Sequence, residues 1–142
     1  MKRRALVIDT CVLVAGLISG GRDTPVTRLV DAMLDGRAPY LLSPDLLAEY
    51  RRVLLRARLV ELHGLTTDDV DNLLLDLTAN AIWREPAPAS RAPDSGDDHL
   101  WALLDTQPHA VLVTGDRLLL ERPFAPNRVI TPRQCVEAGL AD

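Results

Sequence analysis

Acidic residues in this chain stand where predicted elements end or begin, and their types and spacing suit shared chemistry. Asp9 and Asp116 each end an apolar run, although a carboxylate is costly to bury without a partner. Asp97 and Asp98 form an adjacent pair at the start of a predicted helix. Glu49 lies about 100° from the centre of the apolar stripe of another predicted helix, so it borders the core. These acids are the candidates for one common site.

Converging carboxylates without basic partners repel one another and bind protons, unless a hard cation holds them. Oxygen donors favour Mg²⁺ or Mn²⁺, whereas zinc and copper fit poorly in a chain with 3 histidines. Such a cation activates water and neutralises charge on a phosphoryl group, and two cations about 4 Å apart could hold both reacting oxygens. The acids therefore predict phosphoester hydrolysis. The candidate metal ligands are Asp9, Glu49, Asp97, Asp98 and Asp116.

Each acid also has a purely structural interpretation. The strand-end acids can accept bonds from loop amides, and the adjacent pair can stabilise a helix N-terminus through the macrodipole. Glu49 can pair with Arg52 one turn on, and Asp94 is predicted to form a turn rather than to bind metal. Only the conjunction of the acids favours a metal site.

Several polar residues near these acids have two interpretations as well. His99 could transfer protons or be structural, and Thr10 and Thr114 could orient a ligand or satisfy nearby backbone groups. A set of arginines could contact phosphates or form a solvated helix face: Arg51, Arg52, Arg56 and Arg58.

The acids must be positioned by alternating strands and helices. Strands are predicted at 4–9, 39–43, 82–85, 110–116 and 128–131, and helices at 24–36, 44–62, 65–81, 97–106 and 132–140. Thr24, Ser43 and Thr66 or Thr67 are the predicted N-caps. This alternation predicts an α/β fold with a parallel sheet covered by helices, in which ligands bind at the carboxyl ends of the strands.

Composition limits the class of protein. A chain of 142 residues suits a single domain, and stretch 86–96 is too short to separate two. The net charge of −4 does not exclude nucleic acid, because cations would offset a cluster of acids. Aromatic residues make up 4% of the chain, which argues against a base-stacking platform. The absence of a membrane-length apolar run, together with two distant cysteines, predicts a cytoplasmic protein without disulfides.

Four stretches in order, "VIDTCVLVAGL", "LLAEYRRVL", "DDHLWALL" and "VLVTGD", resemble the motifs of the PIN domain family. The resemblance covers nearly the whole chain and is strongest to the bacterial branch of toxin components from toxin–antitoxin systems. It implies a three-layer α/β/α sandwich and a Mg²⁺- or Mn²⁺-dependent ribonuclease. By motif, the four family acids correspond in order to Asp9, Glu49, Asp98 and Asp116, with Asp97 as the alternative for the third.

The resemblance further implies a homodimer, an RNA substrate and an antitoxin whose segment covers the site. The chain departs from the family pattern at Cys11, where Asn is common, and at Gly96 before the acidic pair. The change at Cys11 replaces an amide with a small, weak donor.

The sequence is also compatible with two other functions. The first is a PIN-like module that binds RNA or protein without cutting, and the replacement at Cys11 motivates it. The second is an aspartate-based phosphatase or phospho-acceptor, since a strand-end aspartate can serve as a nucleophile. This second alternative is weaker, because no acid stands two residues after Asp9 and Lys2 is the only lysine.

Overall fold

Short parallel strands form the centre of the molecule. The computed structural model describes residues 3–88 and 91–142. In these ranges the strands are β1 Leu6–Ile8, β2 Leu41–Leu42, β3 Ile82–Trp83, β4 Val111–Val113 and β5 Val129–Ile130. β1 pairs with β4 and β4 with β5, while β2 pairs with β3, and a parallel bridge between Leu6 and Tyr40 joins the two sets. The strand order is therefore β3-β2-β1-β4-β5.

Helices cover both faces of this sheet. They are α1 Thr10–Ile18, α2 Pro25–Leu34, α3 Pro44–Leu54, α4 Ala57–His63, α5 Thr67–Asn80, α6 Asp98–Asp105, α7 Arg117–Glu121 and α8 Pro132–Glu137. Every residue of β1 and β4 is buried, and successive side chains of a strand point to opposite faces. The expected α/β/α sandwich is confirmed. Among the described residues, no helix combines the length and apolar character needed to cross a membrane.

The predicted helix starts at α2, α3 and α5 are confirmed by their caps. The side chains of Thr24, Ser43 and Thr66 each accept a hydrogen bond from a backbone N–H in the first turn. Pro25 and Pro44 follow two of these caps, at the helix position where a missing N–H costs nothing. Local sequence therefore fixes where the helix bearing Glu49 begins.

A buried tyrosine fixes α3 against the sheet. Tyr50 is 1% exposed, and its hydroxyl donates to the carbonyl oxygen of Ile8 at 2.5 Å. A buried hydroxyl needs such a partner, so this bond specifies how α3 lies over the end of β1. It brings Glu49, the preceding residue of the helix, to the edge where Asp9 follows β1.

The continuous helix predicted over 44–62 is wrong. α3 ends at Leu54, and the extended backbone of Arg56 (φ −61, ψ 133) separates it from α4. The turn allows α4 to contact α1 as well as α3. At the end of α3, Nε2 of His63 lies 2.8 Å from the carbonyl oxygen of Leu54 and provides it with a hydrogen-bonding partner. No glycine or proline lies between Leu54 and Ala57, so local sequence does not mark the turn.

Helices α1 and α7 have no counterpart among the predicted elements. Each begins directly after an acid that ends a strand. α1 crosses α2 closely at Gly16, where a Cβ atom would lie 2.4 Å from Cγ2 of Val30 and 2.9 Å from the carbonyl oxygen of Val26. The missing side chain therefore permits the contact that holds α1 in place.

The stretch 86–96 connects β3 to α6. Ala89 and Ser90 within it lie outside the described residues, and its end forms a short 3₁₀ turn, Ser95–Asp97. Asp94 caps this turn by accepting a bond from the N–H of Gly96 at 2.9 Å. Asp94 thus forms a turn, as its sequence context predicts.

Candidate active site

Asp9 lies at the carboxyl end of β1, and its carboxylate has partners within the fold. Its backbone N–H donates to the carbonyl oxygen of Val113 at 3.0 Å, which continues the pairing of β1 with β4. As N-cap of α1, its Oδ1 accepts from the N–H of Thr10 at 2.8 Å. The residue is 7% exposed. The acid that ends an apolar run is therefore a helix cap that still borders a cavity.

Thr114 connects the two strand-end acids. Its hydroxyl donates to Oδ2 of Asp9 at 2.7 Å and accepts from the N–H of Asp116 at 2.9 Å. Because the amide occupies one side of the oxygen, the hydroxyl proton is directed at Asp9. Asp116 caps α7 through the N–H of Leu118 and remains exposed. This fully buried threonine thus bonds the carboxylate of Asp9 as well as a backbone N–H of the loop.

Glu49 reaches the same edge of the sheet from α3, with its side chain 18% exposed. Oε2 accepts a hydrogen bond from the hydroxyl of Thr10. Oε1 lies 3.6 Å from Nε2 of His99 and 3.7 Å from Nη2 of Arg52. Arg52, the structural partner expected from sequence, is 65% exposed, so the pair is loose and solvent-screened. Glu49 is held chiefly by a residue next to Asp9.

The adjacent acids Asp97 and Asp98 face different cavities. Asp97 ends the 3₁₀ turn and lines the cavity of Asp9 and Glu49. Asp98 begins α6, accepts from the N–H of Ala92 at 2.7 Å and lines a separate cavity. Asp97 therefore lies with the acids of this cavity, whereas Asp98, which motif correspondence indicated as the third acid, does not line it.

A cavity of about 650 Å³ joins these acids at the carboxyl ends of β1 and β4. The carboxylates that line it come from the loop after each strand, from α3 and from the turn before α6. They are Asp9, Glu49, Asp97 and Asp116. Acids distant in the chain thus share one cavity, at the strand ends where α/β folds bind ligands.

Burial and mutual repulsion raise the pKa values of two acids that line this cavity, Asp97 and Asp9. Burial, followed by the nearby charges of Asp9, Asp94, Asp116 and Glu49, raises the pKa of Asp97 to about 6. Burial also raises the pKa of Asp9, while the hydrogen bonds from Thr114 and Thr10 oppose this shift. The site therefore carries negative charge that its own cations do not compensate.

The donor set agrees in chemistry with a hard divalent cation. Carboxylate oxygens dominate it, and the pKa of Asp97 is raised first by burial and then by repulsion from neighbouring acids, a repulsion that such a cation would relieve. Within residues 3–88 and 91–142, no three His, Cys, Asp or Glu side chains are gathered closely enough to form a ready metal-binding group. The residues fit the ion in donor type and charge, and their roles as ligands stay a prediction.

Cys11 lies beside Asp9 on the cavity wall. Its Sγ lies 3.7 Å from Oδ2 of Asp9 and 3.9 Å from Oγ1 of Thr114. Burial, then the charge of Asp9, raises the pKa of this thiol, so it stays protonated near neutral pH. Both Cys11 and Cys135 are free, in agreement with the prediction of no disulfide.

Tyr50 is the residue whose part in building the site the sequence interpretation missed. It was assigned only to the apolar stripe of α3, although its hydroxyl fixes α3 over β1. A tyrosine in a stripe that must be buried does carry a signal, since its hydroxyl requires a partner. Sequence could not name Ile8 as that partner.

Comparison with known proteins agrees with the motifs in the sequence. A family model described as PIN domain matches residues 5–118. This range includes all four acids that line the cavity. A search of curated proteins gives no match.

Proposed function

The chain belongs to the PIN domain family, whose members share a nuclease-type fold and are commonly nucleases that use divalent metals, and we propose that it is a Mg²⁺- or Mn²⁺-dependent endoribonuclease. The observation that supports this proposal is the single cavity lined by Asp9, Glu49, Asp97 and Asp116. A divalent cation bound there would activate water and neutralise charge on the scissile phosphate.

The contacts of each acid suggest its role. Asp9 is the best anchored, through Thr10 and Thr114, and serves as the principal metal ligand. Asp97 and Asp116 line the same cavity and supply further carboxylates. Glu49, which Thr10 orients, acts as a ligand or as the base that orients water.

The first test is Asp9→Asn, which removes one charge and keeps the size and the capping oxygen. We expect it to abolish Mg²⁺-dependent cleavage of single-stranded RNA, measured with labelled oligonucleotides, and to retain the circular dichroism spectrum. Asp76→Asn is the matched control, since Asp76 is exposed on α5 and does not line the cavity. Undiminished cleavage by Asp9→Asn would contradict the proposal.

A non-catalytic module is the alternative, because Cys11 stands where the family pattern commonly has Asn. Calorimetry with Mn²⁺ alongside cleavage assays separates the two functions. RNA binding with neither metal uptake nor turnover would favour the scaffold.

We also propose that the nuclease is the toxin of a toxin–antitoxin pair in the cytoplasm, with an antitoxin segment covering the cavity. The order of the four sequence motifs supports this role. Expression of the chain should arrest bacterial growth, and expression of Asp9→Asn should not.

A homodimer is proposed as well. An apolar groove between α3 and α5 supports it, because Leu75 there is 67% exposed and Trp83 beside it is 38% exposed. Leu75→Lys should then shift the mass measured by light scattering from dimer to monomer.

A further inference from the structure

The cavity of the four acids extends beyond them along the crevice between α1 and α3. Its lining passes along α1 from Asp9 to Ile18, a rise of about 13.5 Å at 1.5 Å per residue. It passes along α3 from Glu49 to Val53, a rise of about 6 Å, and reaches Arg56 beyond the end of that helix. The two helices contact each other, and α4 also contacts α1. The cavity thus has an acidic end and a long outer part.

The outer part has a different chemistry from the acidic end. Its walls are apolar side chains, chiefly Val12, Ala15 and Ile18 from α1 and Val53 from α3. The charged residues that line it are Arg52 and Arg56, both exposed at the rim. Among the described residues Arg56 forms no ion pair, and Arg52 has only the loose contact with Glu49. An apolar wall under two available guanidinium groups is complementary to a base and its phosphates.

We propose that this outer part is a subsite for one unstacked base of single-stranded RNA, next to the scissile phosphate, with Arg52 and Arg56 contacting the adjoining backbone. The proposal rests on the ribonuclease function proposed above. A duplex cannot occupy the subsite, because its bases are stacked and paired inside the helix. The subsite therefore explains why an unpaired strand would be the substrate.

The subsite should require a base without selecting which one. Its wall offers apolar contact area, and beyond the acids its polar groups are the two arginine heads, which a phosphate would engage. Base identity is read by hydrogen bonds to base edges, and apolar contact alone does not supply them. We expect all four bases to be accepted at this position.

The test compares intact RNA with abasic RNA. A short single-stranded oligonucleotide carries an abasic ribose on one side or the other of the mapped cleavage position. Binding is measured by fluorescence anisotropy with the Asp9→Asn variant, so that no cleavage occurs during the titration. We expect one abasic oligonucleotide to bind about tenfold more weakly than intact RNA.

One variant of the apolar wall, at Ile18, and one of the rim, at Arg56, separate contacts with the base from contacts with the phosphate backbone. Ile18→Ser should weaken binding of intact RNA about fivefold and leave the abasic oligonucleotide unchanged, because Ile18 would contact only the base. Arg56→Gln should weaken both RNAs and lower the slope of log affinity against log salt by about 1. Leu62→Ser is the control, since Leu62 is also exposed but does not line this cavity.

The outcomes distinguish this subsite from the function on which it rests. Equal binding of intact and abasic RNA, or equal loss of both in Ile18→Ser, would overturn the subsite even where Mg²⁺-dependent cleavage persists. If Ile18→Ser does not change RNA binding at all, the apolar wall does not contact RNA, and a protein segment would be the expected occupant of this part of the cavity. Absence of cleavage by the unaltered chain would instead remove the ribonuclease function, and the subsite with it.

Discussion

At the scale of single residues, the site depends on hydroxyl groups that hold carboxylates. The hydroxyl of Thr114 donates to the carboxylate of Asp9 and accepts from the backbone N–H of Asp116. The hydroxyl of Thr10 donates to Glu49, and the N–H of Thr10 donates to Asp9, which caps α1. These bonds favour the charged form of Asp9 against the desolvation that raises its pKa. A buried acid can thereby remain available to a cation.

The two acids of the adjacent pair should differ when each is changed to asparagine. Asp97→Asn removes a carboxylate from the cavity, so we expect the rate of metal-dependent cleavage to fall about a hundredfold, as losses at metal sites commonly do. Asp98→Asn keeps an oxygen for the N–H of Ala92 and should cleave nearly as fast as the unaltered chain. Single-turnover kinetics measure the cleavage rate of each variant. A larger loss in Asp98→Asn than in Asp97→Asn would restore Asp98 as the third acid.

The raised pKa of Asp97 predicts a specific pH dependence of stability. Its pKa of about 6 exceeds the ordinary value of 3.8, so the folded state holds the proton more tightly than the unfolded state. Stability is therefore lost as pH rises from about 4 to about 6, and the loss is complete above that range. Without divalent cations, Asp97→Asn should match the unaltered chain at pH 4 and melt at higher temperature at pH 7.

Calorimetry in the presence of a chelator checks this difference. Asp76→Asn is the control, because Asp76 is exposed on α5 and does not line the cavity. A melting difference for Asp97→Asn that is the same at pH 4 and pH 7 would contradict the shifted titration.

At the scale of elements, α1 and α3 carry the site, and each is fixed by one close contact. Tyr50 holds α3 over β1 through the carbonyl oxygen of Ile8. Gly16 lets α1 approach α2 where any side chain would collide. Shifting either helix would move the start of α1 relative to Glu49.

Gly16→Ala should therefore destabilise the protein. The new methyl group would meet Val30 and the backbone of Val26, and such overpacking costs about 1–3 kcal/mol. Gly115→Ala is the matched control, because nothing lies within 4 Å of a Cβ there. Urea denaturation measures both, and an unchanged midpoint for Gly16→Ala would contradict the close crossing.

At the scale of the whole molecule, the order of parallel strands collects the acids. β1 and β4 are neighbours, so the residues after them, Asp9 and Thr114–Asp116, meet although about a hundred positions apart in the chain. Desolvation of Asp97 at this edge, and then repulsion from neighbouring acids, opposes folding in the absence of a cation. Metal binding should therefore be linked to global stability.

Mn²⁺ should raise the melting temperature of the unaltered chain. A ligand that binds only the folded state adds about 2.7 kcal/mol at a hundred times its dissociation constant. The increase should disappear in Asp9→Asn, persist in Asp98→Asn and be reversed by a chelator. Equal shifts in all three proteins would indicate non-specific binding.

Sequence by itself determined the class of fold and most of its elements. Apolar runs, caps such as Thr24 and Ser43, and the alternation of strands and helices are local signals, and they predicted the parallel sheet. The family followed separately, from the resemblance of four short motifs. The acidic residues were also apparent, because a carboxylate at the end of an apolar run is unusual. Sequence did not mark the turn after Leu54 or the helices α1 and α7, where packing decides the backbone.

Only the tertiary structure decided which acids share a cavity. Asp97 and Asp98 have the same chemistry and neighbouring positions, and their directions depend on the 3₁₀ turn before α6. Likewise, Thr114 could have bonded any nearby backbone group, and its bond to Asp9 exists because β1 pairs with β4. Composition and spacing specify donors, but the direction of a side chain depends on contacts between residues far apart in the chain.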